Sequence, residues 1–364
     1  MRHFLLLLSI PGLACAEGGV TVFGVVDTFV ARIAADGLPA VTRVDASGLL
    51  ASRIGLRGRE DLGGGYAAGF LLEAGLNSDD GSQADGNRLF NRQAWVSLSG
   101  PLGEVRLGRQ NTPQFYMNGK FDAFTSATQA SGWNNLFGAP PRADNVLGIF
   151  SPSMGGFRLQ ALLARGAAGG AAPLEEGAAN RNTHLAAEYE SGGLYLGANW
   201  QSVRTAASST VARRSSAGGS YAFPGGGTRG WTLYASAGRE RRADGTQDTR
   251  LLQLSAQYRF SPRAALGFGW AGLHDRLEER MDGRPGDGRQ GTGHGDARQL
   301  GLLYRYWLST RTTLYGAAAR LGQQGGRSSF ALLGAAVVAP AAQVRSPLPG
   351  GDIRGLQAGI LHTF

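Results

Sequence analysis

Cysteine, lysine and long apolar runs are almost missing from this 364-residue chain. Cys15 is its one cysteine, so a disulfide framework and a Cys-based metal site are both excluded. No stretch approaches the roughly 20 apolar residues that a membrane-crossing helix needs. Charged residues make up only 17% of the chain. The histidines His3, His184, His274, His294 and His362 are isolated, without the His-x-x-x-His spacing that suits zinc. The glycine pairs lack the Lys-Ser/Thr ending and following helix of a phosphate-cradling loop. No cofactor is expected. Glu175-Glu176 and Glu278-Glu279 fall in expected surface loops and need no catalytic explanation.

Other features are abundant. Arg2 and His3 open the chain, Phe4 to Ile10 form an apolar run, and Pro11-Gly12 breaks it. Ala14 and Ala16 are small residues at the −3 and −1 positions of a cleavage site, so residues 1–16 read as an export signal and the mature chain as 17–364. The apolar run is too short to span a membrane. Cys15 raises a lipid-anchored alternative, but Gly12 stands where that signal takes Leu. Glycine is very frequent, at 58 residues, with no collagen-like period. The formal charge is +9, and every basic residue except Lys120 and the histidines is arginine. These arginines are scattered, and with an export signal they point away from nucleic acid and toward small anions or anionic lipid headgroups.

The dominant periodicity is two. Leu252, Leu254, Ala256, Tyr258 and Phe260 alternate with Gln253, Ser255, Gln257 and Arg259. Leu194 to Trp200, Leu266 to Trp270 and Leu300 to Leu308 repeat the pattern. Successive side chains of a strand point to opposite faces, so each segment has one apolar face and one polar or small face. Connections alternate in length. Short ones lie near 61–64, 100–102, 151–155, 191–193, 224–227, 261–262 and 309–310. Long polar ones span roughly 35–48, 77–87, 110–143, 166–181, 205–212, 240–248, 275–294 and 323–350. Soluble domains seldom carry so many long loops. Short turns at one end and long loops at the other describe an all-β, closed antiparallel transmembrane barrel of about 16 strands. Closure is required because an open sheet edge in lipid leaves amides unsatisfied.

Several stretches resemble the general diffusion porins of Gram-negative bacteria, especially the sixteen-stranded trimeric members. They are Val20 to Asp27, Ser52 to Gly58, Glu60 to Gly65, Arg88 to Trp95, Leu107 to Gln110, Arg142 to Asn145 and Ser151 to Phe157. They are dense and in order over about the first 160 residues. Beyond that, the strand rhythm and the terminal Phe364 carry the likeness. A last strand with Leu356, Ala358, Ile360, His362 and Phe364 on one face is similar to the signal read by the outer-membrane assembly machinery. The resemblance implies a homotrimer in the cell outer membrane that passes small hydrophilic solutes and ions. It also implies an inward-folded loop, here 111–141, that narrows the pore opposite a wall of arginines. Matching residue by residue puts Arg53, Arg92 and Arg142 on that wall and Asp122 on the loop. The loop has no second carboxylate after Asp122, which tilts the expected preference toward anions.

Alternation supports part of this independently. Arg53 and Arg57 share a face opposite Ile54 and Leu56, and an arginine facing lipid at mid-depth costs about 2–4 kcal/mol, so both should face the lumen. Arg106 and Asp27 are further candidates for the lumen lining. Arg92 alternates poorly, falling in step with Ala94, Val96 and Leu98. Arg109 falls on the apolar face, which suits a snorkelling or subunit-contact side chain. Arg239 to Arg242 reads as a solvated loop edge that also suits lipopolysaccharide phosphates. Three other readings stay open: a substrate-specific channel, a purely structural adhesin-like barrel, and a barrel hydrolase using His184 or His274.

Overall fold

The computed structural model describes residues 19–125, 128–138, 141–164, 182–204, 211–225, 228–276, 295–324, 330–333 and 343–364. The export-signal segment 1–16 and the two glutamate pairs lie outside them. The described chain forms a single antiparallel sheet wrapped into a barrel. Its strands are β1 (Val20–Ala35), β2 (Val41–Ala46), β3 (Arg53–Gly63), β4 (Tyr66–Gly75), β5 (Gln93–Gly100) and β6 (Gly103–Asn111). Two short helices follow, α1 (Pro113–Asn118) and α2 (Gly132–Leu136). Then come β7 (Arg142–Phe150), β8 (Phe157–Ala164), β9 (Asn182–Ser191), β10 (Leu194–Arg204), β11 (Val211–Ala222) and β12 (Gly230–Arg242). The sheet ends with β13 (Asp248–Ser261), β14 (Ala264–Asp275), β15 (Ala297–Trp307), β16 (Thr312–Gln323) and β17 (Ile353–Thr363).

These segments make the sixteen staves expected, because β2 and β3 are two halves of one. Both pair with β1, β2 against Thr28 to Ile33 and β3 against Val20 to Val25. Residues 47–52 interrupt that stave, with Ser47 at a φ of 69°. Asp27 holds the interruption. The amides of Leu49 and Leu50 each donate to its carboxylate at 2.7 Å, and the Tyr315 hydroxyl donates to its other oxygen. The barrel closes where β1 pairs β17, from Val25 opposite Thr363 to Ala35 opposite Ile353. Phe364 extends the seam, its amide and carbonyl exchanging bonds of 3.1 and 3.0 Å with Gly24. No edge is left for lipid to desolvate.

The outer wall carries the apolar stripes read from the sequence. Leu107, Leu254, Leu300 and Leu356 are half exposed or more, as only a hydrocarbon surrounding would favour. Aromatic pairs cluster at the short-turn end, including Phe157 with Tyr189 at 4.5 Å and Trp231 with Tyr258 at 4.8 Å between centroids. Rings at that level suit the membrane–water boundary. Three connections differ from the sequence boundaries, the one expected over 77–87 running on to 92 before β5. Residues 35–48 contain β2, and the stretch 240–248 shrinks to a turn over 243–247. Arg239 to Arg242 therefore end a strand and do not form a solvated loop edge.

Candidate functional site

The connection between β6 and β7 turns into the barrel. Thr112 caps α1 and Ser131 caps α2, each through its hydroxyl, and Pro113 suits the first helical turn. The segment then leans on the lumen faces of distant strands. The Ala123 amide donates to Ser255 at 3.1 Å, and the Trp133 amide to Gln253 at 2.7 Å. Asn135 donates to Gln299 at 2.8 Å. Phe121, Phe124, Trp133 and Phe137 are buried between loop and wall. Glycines on the lumen face make the approach feasible. A Cβ at Gly238 would lie 2.7 Å from the Phe137 ring, and one at Gly197 would lie 2.6 Å from the Met117 methyl. Strand-interior glycine often marks such a close approach.

With the loop packed against β10–β17, the opposite wall is left to the arginines. Arg53, Arg57 and Arg59 alternate along the lumen face of β3, and Arg106 lies on that of β6. Arg92 and Arg142 sit just before β5 and at the start of β7. Arg53 and Arg92 converge on one carboxylate, Glu73 of β4. The Arg53 Nε lies 3.7 Å from it, and the Arg92 Nε donates to its other oxygen. The Arg142 guanidinium lies 5.8 Å from the centroid of Phe115 on α1, so it meets the loop directly. The Tyr116 hydroxyl contacts Asn111 at 3.0 Å and Gln93 at 3.4 Å, bringing the loop's first helix to this wall. Arg106 lies between Trp95 and Phe150, 4.5 and 4.3 Å from their centroids, and pairs with Glu104 at 2.8 Å. Arg57 is exposed, with the Phe23 ring 5.5 Å away and no ion pair among the described residues. Among the described residues, Glu73 meets Arg53 and Arg92 on this side, and Glu104 meets Arg106.

Some residues stand elsewhere than the alternation placed them. Asp122 is on the inward loop, where its charge acts on Arg305 of β15. It is buried, accepting from the Ser131 hydroxyl at 2.6 Å and the Phe124 amide at 3.0 Å, so it ties the loop to itself. Asp27 is on the lumen side, but its oxygens are taken by the interrupted stave and by the Tyr315 hydroxyl of β16. Arg92 precedes β5, so its apparent step with Ala94 and Val96 has no geometric meaning. A bulge turns Arg109 off the lipid face. The register shifts between Gly108 and Gln110, and Arg109 then donates to the Asn91 carbonyl at 2.7 Å and to Asp144. Glu73 escaped notice in the sequence, although its signal was present: a lone acid closing the otherwise apolar strand Tyr66–Gly75. His184 is buried on the lumen side, whereas His274 lies on the outer wall with Nδ1 3.1 Å from Asp296. Facing opposite ways, they cannot share a catalytic centre.

A closed barrel with an apolar outer band, a charged lumen and an inward loop is the architecture of an outer-membrane β-barrel protein. The family model described as Gram-negative porin matches residues 5–326, and the chain belongs to that family. Its structure is similar to that of an anion-selective porin from Comamonas acidovorans. The TM-score is 0.72 at 28% sequence identity, covering 96% of this chain and 100% of that one. In sequence it is 42% identical over 163 residues to outer membrane porin protein 32 of Delftia acidovorans, covering 42% of this chain and 46% of that one. It is also 34% identical over 170 residues to an outer membrane porin protein of Bordetella pertussis, covering 42% of this chain and 44% of that one. These sequence matches span less than half of each curated relative.

Proposed function

We propose that this protein is a diffusion channel of the outer membrane, passing small hydrophilic solutes and preferring anions, and that it is not an enzyme. The observation that carries the reading is the wall of Arg53, Arg57, Arg59, Arg92, Arg106 and Arg142, in which Glu73 pairs with Arg53 and Arg92 and Glu104 with Arg106. Rings of like charge select ions by favouring the opposite sign at close range. The waist lies between that wall and α1, where Phe115 and Tyr116 face Arg142, Gln93 and Asn111. Arg53, Arg92 and Arg142 set its charge, Glu73 trims it, and Asp122 shapes the loop. Likeness to a porin whose description is anion-selective supports the sign. The protein works as a homotrimer and is delivered by the outer-membrane assembly machinery through its last strand and Phe364. Outer-membrane lipid and lipopolysaccharide surround it.

Single-channel current across a planar bilayer under a salt gradient tests this. Conductance proportional to salt with an anion-sided reversal potential is the expected result. Conductance that saturates with one solute would favour a substrate-specific channel. A folded barrel without conductance would overturn the channel reading.

A further inference from the structure

Helix α1 rests on the barrel wall by one face and turns an aromatic face to the pore. Pro113, Gln114, Met117 and Asn118 are buried. Met117 packs over Gly197 of β10, and its sulfur accepts from Asn199 at 3.6 Å. Residues 115 and 116 fall on the other side of the helical turn, where they are 40% and 42% exposed. A helix with one face in water ordinarily turns polar side chains to it. Here that face carries Phe115 and Tyr116, their centroids 6.0 Å apart and their planes inclined at 64°. The Tyr116 hydroxyl is held at Asn111 and Gln93, which fixes the direction of its ring. The two rings form a corner, and the Arg142 guanidinium stands 5.8 Å from the Phe115 centroid.

Ring and guanidinium recur together on the short-turn side of the waist. Arg106 lies between Trp95 and Phe150, and Arg57 near Phe23. Those three rings are half-buried against the wall, whereas the rings of α1 stand open to the solute. We propose that, among the anions it passes, the waist retains aromatic carboxylates. The carboxylate accepts from the Arg142 fork, and the solute ring fills the corner of Phe115 and Tyr116. Aromatic rings attract through face and edge at centroid distances of about 4.5–7 Å, and two inclined rings offer one flat solute both contacts. In a benzoate the carboxylate is joined directly to the ring, so one short molecule reaches the arginine and the corner together. Acetate or chloride gains the arginine contact without the rings. The inference deepens the anion-preferring channel proposed above and rests on it.

The test reads chloride current through the protein in a planar bilayer at neutral pH, with benzoate, cyclohexanecarboxylate or acetate added as sodium salts. Benzoate should reduce the current at a roughly tenfold lower concentration than acetate, the preference expected of two ring contacts. It should also act below cyclohexanecarboxylate, which has the same charge and similar bulk but no flat face. Phe115→Leu, which keeps an apolar side chain and removes the ring, should lose most of the difference between benzoate and cyclohexanecarboxylate. Phe115→Tyr should keep the parent's order. The ratio of effective concentrations is taken within each variant, so a change of pore width that acts on both solutes cancels. Equal action of benzoate and cyclohexanecarboxylate on the parent would overturn the proposal, and so would a parent-like ratio in Phe115→Leu. Anion-selective conductance without a benzoate preference sinks this inference alone. A parent that does not conduct, or that prefers cations, sinks the channel reading with it.

Discussion

The triple change Arg53→Gln, Arg92→Gln and Arg142→Gln probes the waist most directly. Three guanidinium groups and Glu73 give this cluster a net charge of +2, and the variant leaves −1. An ion about 7 Å from a unit charge in water feels about 0.6 kcal/mol, and screening near 0.1 M salt about halves that. Three charges then change the energy of a permeating ion by about 0.9 kcal/mol. The sign is opposite for anions and cations, so their relative weighting moves by about 1.8 kcal/mol. That is roughly a 20-fold fall in anion-over-cation permeability. The reversal potential under a KCl gradient reads it, and should move toward or past zero. Glu73→Gln alone makes the opposite prediction. It raises the cluster from +2 to +3 and should increase anion preference about threefold. The triple variant leaves Glu73 buried without its partners, so a fourth change to Gln there provides a neutral control that avoids an unpaired carboxylate. An unchanged reversal potential in the triple variant, or shifts of one sign in both variants, would refute the assignment.

Three other substitutions separate architecture from selectivity. Gly301→Val should push the inward loop from the wall, because a Cβ there would overlap the Ala130 carbonyl. It should widen or destabilise the pore at a cost of about 1–3 kcal/mol, read as larger conductance with a lower unfolding midpoint. Asp27→Asn should lower stability by about 1.5–3 kcal/mol, through weakened charged bonds to Leu49, Leu50 and Tyr315, with ion preference unchanged. A selectivity change at constant stability would show that Asp27 acts on the solute. Asp122→Asn should raise open-channel noise by loosening the Ser131 and Phe124 contacts, and quiet traces with altered selectivity would contradict that role.

The barrel was legible in the sequence because lipid makes the same demand on every stave. Leu252, Leu254 and Phe260, or Leu356 and Ile360, must be apolar at alternate positions wherever they face hydrocarbon. Loop lengths then set the direction of the strands, and their number followed. Arg53, Arg57 and Arg106 were legible for the same reason, since their neighbours in the alternation face out. The rule fails where the backbone leaves regular pairing. Arg92 precedes its strand, and Arg109 sits on a bulge, so neither obeys a period of two.

Sequence alone determined the fold class, the apolar outer face and the arginine-rich inner wall, because each is a local consequence of strand periodicity in a membrane. Only the tertiary structure decided which carboxylate answers those arginines. Glu73 and Arg92 are 19 positions apart and meet because β4 and β5 are neighbours. Asp122 lies closer in the chain to Arg142, yet the loop's own turn takes its oxygens. Partner choice among charges depends on distances of a few ångströms between strands and loops, which periodicity does not encode.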